Sequence, residues 1–239
     1  MYKFEKQYVL RVSDFDCYDR LRPSAILDFF QDVAGQNADE MGIGYRELIK
    51  KDVIWVLLRN RFDVIKSPVP YSSVIVKTYP HKPGRGDFDR DYYIESPTGE
   101  TYIKGSSKWC LINFKTRKIL FGDEGKCDGD EYTETCVYPE GVKKIKNFSE
   151  EGFEKFSGRT EFSDLDHNGH VNNVKYLDYV FNAVKPGKSE EVTSLEIDYV
   201  HEMQANSAYD IFYKKIDGAY YIKCISGGSE IFRAIMGVK

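Results

Sequence analysis

The sequence has no long apolar run, no excess of one charge sign and no paired cysteine motif. No stretch approaches the ~18 apolar residues of a membrane-spanning helix, and the opening MYKFEKQYVL lacks the apolar core of a signal peptide. The 34 basic and 38 acidic side chains are mixed along the chain and give a net charge of −4, which argues against nucleic acid as the main ligand. The five cysteines are scattered without CxxC spacing, so we expect reduced thiols, a cytoplasmic location and no metal site.

Aromatic residues and a repeated order of elements are what the sequence does contain. The 18 Tyr and 15 Phe among 239 residues are ample for a hydrophobic core. Periodicity and turn residues predict a strand, a long helix and several strands twice over, separated by a weakly periodic stretch over 122–156. The first set is a strand over 2–12, a helix over 24–41 preceded by Pro23, and strands over 53–65, 73–79, 87–95 and 100–114. The second set is a short strand over 159–163, a helix over 171–184, and strands over 192–202, 208–216, 219–226 and 229–238.

The two sets are related by a shift of 150 residues, the difference between Asp14 and Asp164. This shift also aligns identical residues elsewhere in the equivalent elements, which indicates one folding unit copied within the chain. The further identities are Ser13 with Ser163, Asp16 with Asp166, Leu27 with Leu177, and Asp28 with Asp178. Two positions differ in an informative way, since Tyr18 stands opposite Asn168 and Arg20 opposite His170. Any chemistry that needs the amide and the imidazole should therefore lie in the second copy.

Four polar side chains able to do chemistry, Asp166, His167, Asn168 and His170, lie within five residues, where the second helix is predicted to begin. A helix start offers free backbone N–H groups and a partial positive charge, which suit a developing oxyanion. We therefore expect half of a hydrolytic site here. The structural alternative is a turn and helix cap, which we prefer for Asp164 and weigh equally with catalysis for Asp166. His167 and His170 as metal ligands are disfavoured, because no third ligand accompanies them at zinc-type spacing.

A strand, a long helix and several strands that curl around it look like the hotdog fold, and the motif DLDHNGHVNNVKYLDYV is similar to the signature of acyl-acyl-carrier-protein thioesterases. Two further blocks resemble the same family, GSSKWCLINFKTRK over 105–118 and the hairpin over 79–92. The resemblance implies an α+β fold of two tandem hotdogs, each an antiparallel sheet wrapped around a long central helix. It implies an acyl-binding, non-catalytic hotdog over 1–125, a linker over 126–156 and a catalytic hotdog over 157–239.

The resemblance also implies an activity, the hydrolysis of fatty acyl-acyl-carrier protein, and a catalytic set of Asp166, Asn168, His170 and Glu202. Many members of the family carry Cys directly after this Glu, where this chain has Met203. Because a thioether cannot form a thioester, we expect direct attack by water, with Glu202 or His170 as general base. Asn168 would orient the water or hold the carbonyl, Asp166 would position Asn168 and His170, and backbone N–H groups over 170–172 would receive the oxyanion.

The expected substrate is an acyl chain on the phosphopantetheine arm of acyl carrier protein, with no cofactor, no nucleic acid and no membrane as partner; a homodimer is left open. The apolar residues assigned to the acyl chain are Ile26, Phe29, Phe30, Trp55 and Leu57, although each such residue is more often core than tunnel. The basic residues assigned to the acidic carrier protein are Arg85 and Arg117, with Lys82, Arg90, Lys108 and Lys118, although a charged cluster is by default a solvated face.

Three other functions fit the sequence. An acyl-CoA thioesterase of the same fold is the nearest, and acyl-carrier protein compared with acyl-CoA at equal chain length would separate the two. A hotdog dehydratase fits the extended motif less well. A non-catalytic acyl-binding hotdog is opposed by the complete catalytic set and kept open by Met203.

Overall fold

The computed structural model describes residues 3–121, 125–126, 132–133 and 136–239, and its fold is α+β. In the first half the elements are β1 (Phe4–Val9), α1 (Pro23–Glu40), α2 (Tyr45–Leu48), β2 (Val53–Val64), β3 (Ser73–Pro80), β4 (Phe88–Glu95) and β5 (Thr101–Asn113). In the second half they are β6 (Glu154–Arg159), α3 (Lys175–Val184), β7 (Val192–Tyr199), β8 (Ala208–Ile216), β9 (Ala219–Ser226) and β10 (Ser229–Val238). Short 3₁₀ helices lie at Val12–Asp14, Ile49–Lys51 and Phe162–Asp164.

All the strands of the described chain join one ten-stranded sheet in the order β1-β3-β4-β5-β2-β7-β10-β9-β8-β6. The pairs are antiparallel, and the two halves meet where β2 pairs with β7, with Asn60 opposite Ile197. Read outward from this junction, each half has the same strand order, with β7, β10, β9, β8 and β6 matching β2, β5, β4, β3 and β1. The predicted pair of tandem hotdogs is confirmed.

The predicted duplication is visible in the local structure. The first strands begin at Phe4 and Glu154, and the 3₁₀ helices that follow begin at Val12 and Phe162, so both keep the shift of 150 residues. A β-bridge closes the next turn in each copy, between Phe15 and Leu21 and between Leu165 and Val171. The two turns are therefore built on the same backbone frame.

The prediction of a strand over 159–163 is wrong, because the strand is β6, Glu154–Arg159, which begins in the last three residues of the predicted linker. β6 lies at the edge of the sheet and pairs only with β8 among the described strands. Its residues are mostly exposed or half-exposed, so the apolar alternation that reveals a strand is weak. The second copy thus takes in part of the stretch that we assigned to the linker, and the boundary at 157 stays a prediction.

The first helix is confirmed, with Pro23 at its first position and an apolar face formed by Ile26, Phe29, Phe30 and Val33. The second is shorter than predicted, since α3 begins at Lys175 rather than at residue 171. The Val171 N–H donates to Met203 O at 2.8 Å, which ties this part of the chain to the segment that follows β7 rather than to a helical turn.

Both helices pack into one core with the inner face of the sheet. Phe30 of α1 stacks on Tyr92 of β4 with ring centroids 4.3 Å apart, and Tyr176 of α3 packs against Phe232 of β10 at 5.3 Å. A single cluster of buried residues contains members of both copies, including Phe62, Leu177 and Ile197. The two copies therefore share one core, and burial of this apolar surface is the main force that holds them together.

Part of the predicted linker lies on the outer face of the sheet, where Tyr138, Val142 and Ile145 are buried. Tyr138 sits 3.9 Å from the Arg61 guanidinium, and the Ile145 N–H donates to Asp198 Oδ2 at 2.9 Å. Arg61 and Asp198 neighbour the inward Phe62 and Ile197, so alternation along a strand places them on the outer face. None of the described helices has both the length and the hydrophobicity to cross a bilayer.

Candidate active site

The polar motif of the second copy forms a tight turn that presents two side chains. The Asp166 N–H donates to His170 O at 2.8 Å, and the Gly169 N–H donates to Asp166 O at 3.1 Å. Gly169 has φ +78°, a conformation that glycine adopts without strain. Since the turn is closed on itself by these bonds, Asn168 and His170 project from a fixed frame.

Asp166 both builds this turn and holds Asn168. Its Oδ1 accepts the N–H of Asn168 at 2.8 Å and of His170 at 3.4 Å, and its Oδ2 accepts Asn168 Nδ2 at 3.4 Å. In the first copy Asp16 Oδ1 accepts the N–H of Tyr18 at 2.8 Å and of Arg20 at 3.0 Å. The Oδ1 bonds are thus a shared structural feature, while the Oδ2 bond to the Asn168 amide belongs to the second copy.

His170 meets a carboxylate that arrives from another element. Glu202 follows the end of β7, and its Oε2 lies 3.4 Å from His170 Nε2. Both side chains are accessible, with 26% of His170 and 39% of Glu202 exposed. A carboxylate beside an imidazole is an arrangement that can accept a proton from water.

Arg117 of the first copy completes this group. It lies in the turn after β5, and its guanidinium Nη2 forms an ion pair with Glu202 Oε2. The sequence assigned Arg117 to the carrier protein, whereas the structure places it against a predicted catalytic carboxylate. We found no signal for this contact in the sequence, because it depends on β5 and β7 lying on either side of β2.

The polar group opens into a cavity of about 510 Å³ between the two copies. Polar side chains on its wall include Asp166, Asn168, His170 and Glu202 with Arg117, so the structure brings the predicted catalytic residues together. The apolar wall comes largely from the first copy, including Ala34, Ala38, Ile54, Trp55, Leu57, Leu58, Phe88 and Trp109. The cavity can hold an extended apolar chain with a polar group beside His170.

Of the five residues assigned to the acyl chain, Trp55 and Leu57 line this cavity. Ile26, Phe29 and Phe30 lie instead in the core, each at most 6% exposed, and outside the cavity wall. The sequence of α1 explains why these three residues do not line the cavity. Its large side chains lie in the first half of the helix, and the small residues Ala34, Gly35 and Ala38 lie in the second half. A Cβ added to Gly35 would meet no atom within 4 Å, so the free space begins where the side chains become small.

The basic residues assigned to the carrier protein divide into two groups. Arg90 is 9% exposed and donates to Asn37 Oδ1 at 2.6 Å, and Lys108 is held by Asp87 and Asp89 at 2.6 and 2.7 Å. Together with Arg117 these cations are committed to internal contacts. Lys82, Arg85 and Lys118 are exposed and form no ion pair with another described residue.

No cysteine appears among the described residues that line the cavity. Met203 is 2% exposed and belongs to the core, with its N–H donating to the Tyr176 hydroxyl at 3.2 Å. Cys224 is fully buried, and this burial raises the pKa of its thiol. Neither side chain can act as a nucleophile on a ligand in the cavity.

The backbone N–H groups that we predicted as an oxyanion site are already bonded. Those of Val171 and Asn172 donate to Met203 O and Asp164 O, and that of His170 points to Asp166. The helix also begins only at Lys175, which moves its dipole away from the turn. Asn173 was not among the predicted site residues, yet it lines the cavity, and its side-chain amide has no hydrogen-bond partner among the described residues.

The equivalent place in the first copy is filled. Arg20, opposite His170, donates through Nε to Asp16 Oδ2 at 2.7 Å and through Nη1 to Gly187 O at 2.9 Å. The same guanidinium reaches the carbonyl oxygens of Pro186 and Glu190. It therefore stabilises the chain after α3 in the position where the second copy presents an imidazole.

Two family models match the chain: the acyl-ACP thioesterase N-terminal domain over residues 1–121 and the acyl-ACP thioesterase C-terminal domain over residues 145–231. Between them they take in both copies of the repeat.

Curated relatives carry similar names. A chloroplastic acyl-[acyl-carrier-protein] hydrolase of Cuphea viscosissima is 30% identical over 69% of this chain and 42% of its own length. A chloroplastic palmitoyl-acyl carrier protein thioesterase of Arabidopsis thaliana is 30% identical over 67% of this chain and 41% of its own length. The chain thus spans less than half the length of these two relatives.

Two solved structures share the whole fold. An acyl-ACP thioesterase from Bacteroides thetaiotaomicron has a TM-score of 0.89 at 22% identity, covering 100% of this chain and 98% of that chain. A 12:0-ACP thioesterase from Umbellularia californica has a TM-score of 0.90 at 24% identity, with the same coverage. At this identity the likeness establishes the tandem hotdog fold.

Proposed function

Since the chain belongs to the acyl-ACP thioesterase family, we propose that it hydrolyses the thioester of a fatty acyl-acyl-carrier protein to the free fatty acid and the carrier protein. The observation that carries this proposal is one cavity whose wall joins Asn168, His170 and Glu202 to apolar side chains of the first copy. A thioester needs an activated nucleophile beside an acyl-binding surface, and this cavity offers both.

Water is the nucleophile in this proposal, because the described wall of the cavity contains no thiol. Glu202 and His170, 3.4 Å apart, act as one unit that takes the water proton and returns it to the leaving sulfur. Glu202 Oε2 is engaged by both His170 and Arg117, which leaves Oε1 to accept a hydrogen bond from water. Arg117 thereby fixes the carboxylate relative to the imidazole.

The thioester carbonyl is assigned to side-chain amides rather than to the backbone. Asn168 Nδ2 carries two hydrogens, one of which faces Asp166 Oδ2 and the other of which can donate to the carbonyl oxygen. Asn173 offers a second amide on the same wall. Donors held in place before the reaction stabilise developing charge without reorganisation.

The acyl chain would lie along the small residues of α1 and against Trp55 and Leu57, with the carrier protein outside. Lys82, Arg85 and Lys118 are the exposed cations left to meet an acidic partner. Interactions of this kind act mainly on the rate of association and weaken with salt.

The test is the release of free fatty acid from carrier proteins loaded with acyl groups of graded length, with acyl-CoA of the same lengths as the comparison. We expect turnover of acyl-carrier protein at a higher kcat/KM than acyl-CoA. Turnover of acyl-CoA alone would show that the protein is an acyl-CoA thioesterase instead. No release from any thioester would show that it is a non-catalytic acyl-binding protein.

A further inference from the structure

A second group of reactive side chains lies away from His170 and Glu202. Cys136 Sγ is 3.6 Å from His81 Nδ1, and His81 Nε2 is 2.9 Å from Asp91 Oδ2. The order thiol, imidazole, carboxylate is the one that activates a cysteine nucleophile, in which the carboxylate orients the imidazole and the imidazole takes the thiol proton. The proposed hydrolysis assigns no role to these residues, and Cys136 lies outside the ranges that the two family models match.

The imidazole in this group is held in one orientation. Asp91 is 3% exposed, and its Oδ2 also accepts the Val137 N–H at 2.8 Å, so the carboxylate cannot turn away. With Asp91 accepting from Nε2–H, the lone pair of His81 lies on Nδ1, which faces Cys136. Val137 follows Cys136 directly, so the same carboxylate fixes both the base and the backbone that carries the thiol.

The thiol is open to solvent rather than to the cavity. Cys136 is exposed, whereas Cys110 and Cys224 are buried. His81 lines the cavity wall, while Cys136 does not. A reagent therefore reaches the sulfur from solvent, on the outer side of an imidazole whose other face borders the proposed substrate site.

The surrounding charges decide how this thiol can react. Desolvation, followed by the negative charges of Asp91 and Asp89, raises the pKa of the Cys136 thiol. Lys108 is close to these carboxylates but is already bonded to Asp89 and Asp87. Free thiolate is therefore scarce at neutral pH, and reaction depends on proton transfer to His81 during attack. A thiol of high pKa is in turn the stronger nucleophile once its proton is removed.

We propose that Cys136, His81 and Asp91 form a reactive-thiol site that takes small disulfides from solvent. Cys136 Sγ forms a bond to one sulfur of the disulfide as its proton passes to His81 Nδ1. The disulfide bond of the reagent breaks, and the departing sulfur takes the proton from His81 and leaves as a thiol. The products are a mixed disulfide on Cys136 and one free thiol, so the disulfide is the only oxidant required.

The test compares two thiols of the same folded protein. Cys17 is the matched control, because it is also exposed and has no hydrogen bond to an imidazole among the described residues. The full chain is incubated at pH 7 with oxidised glutathione and, separately, with iodoacetamide, and the rate at each cysteine is read by peptide mass mapping. General-base assistance contributes roughly 10²–10⁴-fold, so we expect Cys136 to react at least about tenfold faster than Cys17.

Two variants locate the cause. His81→Asn should bring the Cys136 rate down to that of Cys17 or below, with the Cys17 rate and the circular dichroism spectrum unchanged. Cys136→Ser should abolish the fast phase and leave fatty acid release intact. In the wild-type protein, a Cys136 rate equal to or below that of Cys17 with both reagents would overturn the proposal without reference to any variant. So would a fast Cys136 rate that persists in folded His81→Asn.

Discussion

Positions 168 and 170 show how little separates the two copies at the scale of single residues. Asp16 and Asp166 accept equivalent hydrogen bonds from the backbone of their turns. In each turn a residue with positive φ comes directly before Arg20 or His170: Asp19 at 59° and Gly169 at 78°. On this common frame Arg20 donates its hydrogen bonds to the chain after α3, whereas His170 faces Glu202. The difference in chemistry is therefore a difference of side chains on one backbone.

The sequence predicted the members of this site better than their contacts. Asp166, Asn168, His170 and Glu202 could be named because the motif around them resembles a family. Arg117 could not be placed, because the turn after β5 and the end of β7 come together only through pairing of both strands with β2. The backbone oxyanion site was mispredicted for the same reason. Its N–H groups are bonded to the carbonyl oxygens of Met203 and Asp164, and these bonds form only once the chain has folded.

Arg117→Ala should lower kcat for acyl-carrier protein by about tenfold or more and leave KM nearly unchanged. The ion pair is partly exposed and is itself worth only about 0.2–1 kcal/mol. Its loss nevertheless frees the Glu202 carboxylate from its position beside His170, and a shift of about 1 Å in a catalytic group can cost about 10²-fold in rate. Arg85→Ala is the matched control, since Arg85 is exposed and unpaired among the described residues, and there KM should rise while kcat stays constant. Steady-state kinetics of both variants check this, and the same pattern in both would refute the assignment of Arg117 to Glu202.

Met203→Cys should create neither an acyl-enzyme nor a faster reaction. The side chain is 2% exposed and packs in the core, so a thiol there would be shielded from the cavity. Intact-mass measurement after mixing with acyl-carrier protein should show no added acyl group. An acyl adduct on the introduced thiol would mean that a side chain at this position reaches the substrate, contrary to its place in the structure.

At the scale of elements, α1 decides both the fold of the first copy and the shape of its cavity. Its periodic apolar face and Pro23 made it predictable, and its bounds agree with the prediction to within a residue at each end. The strand β6 was not predictable in the same way, because an exposed edge strand carries little apolar alternation. The position along α1 at which the cavity opens was also predicted wrongly. From the sequence alone, Ile26 and Phe30 are as suitable for lining an acyl-chain site as Ala34 and Gly35, and only the packing of the structure distinguishes them.

Gly35→Leu should shift the chain-length profile toward shorter acyl groups. The new side chain would enter open space on the cavity wall, and each methylene of substrate that no longer fits costs roughly 1–3 kcal/mol in specificity. Gly35→Ala is the control: it should keep the profile and raise the free energy of unfolding by ~0.5–1 kcal/mol, because alanine restricts the unfolded chain. Hydrolysis profiles and urea unfolding measure the two effects. An unchanged profile in folded Gly35→Leu would place the acyl chain elsewhere.

At the scale of the whole molecule, the site exists because two copies share one sheet and one core. The polar group on the cavity wall draws His170 and Glu202 from the second copy and Arg117 from the first, and the apolar part of the wall comes largely from the first. Neither copy alone contains the cavity. In the proposed function, the second copy supplies the proton-transfer pair, and the first supplies most of the acyl-binding surface together with Arg117.

Unfolding in urea should follow one cooperative transition, seen at the same midpoint by tryptophan fluorescence and by circular dichroism. Both tryptophans, Trp55 and Trp109, lie in the first copy, while circular dichroism reports on both. Separating the copies would break the central β2–β7 pairing and expose the large core that they share, so neither should stay folded when the other unfolds. Two separated transitions would show that the copies fold independently.

The most direct test of the proposed hydrolysis is the single-turnover rate of fatty acid release from acyl-carrier protein by the wild-type chain, His170→Ala and Glu202→Gln. Both side chains are partly exposed, so the variants should fold as the wild type does by circular dichroism. Loss of general-base assistance should slow release by roughly 10²–10⁴-fold in each single variant, and the double variant should be little slower than either, because the two groups act as a unit. Wild-type rates in either folded variant would contradict the claim that His170 and Glu202 perform the hydrolysis.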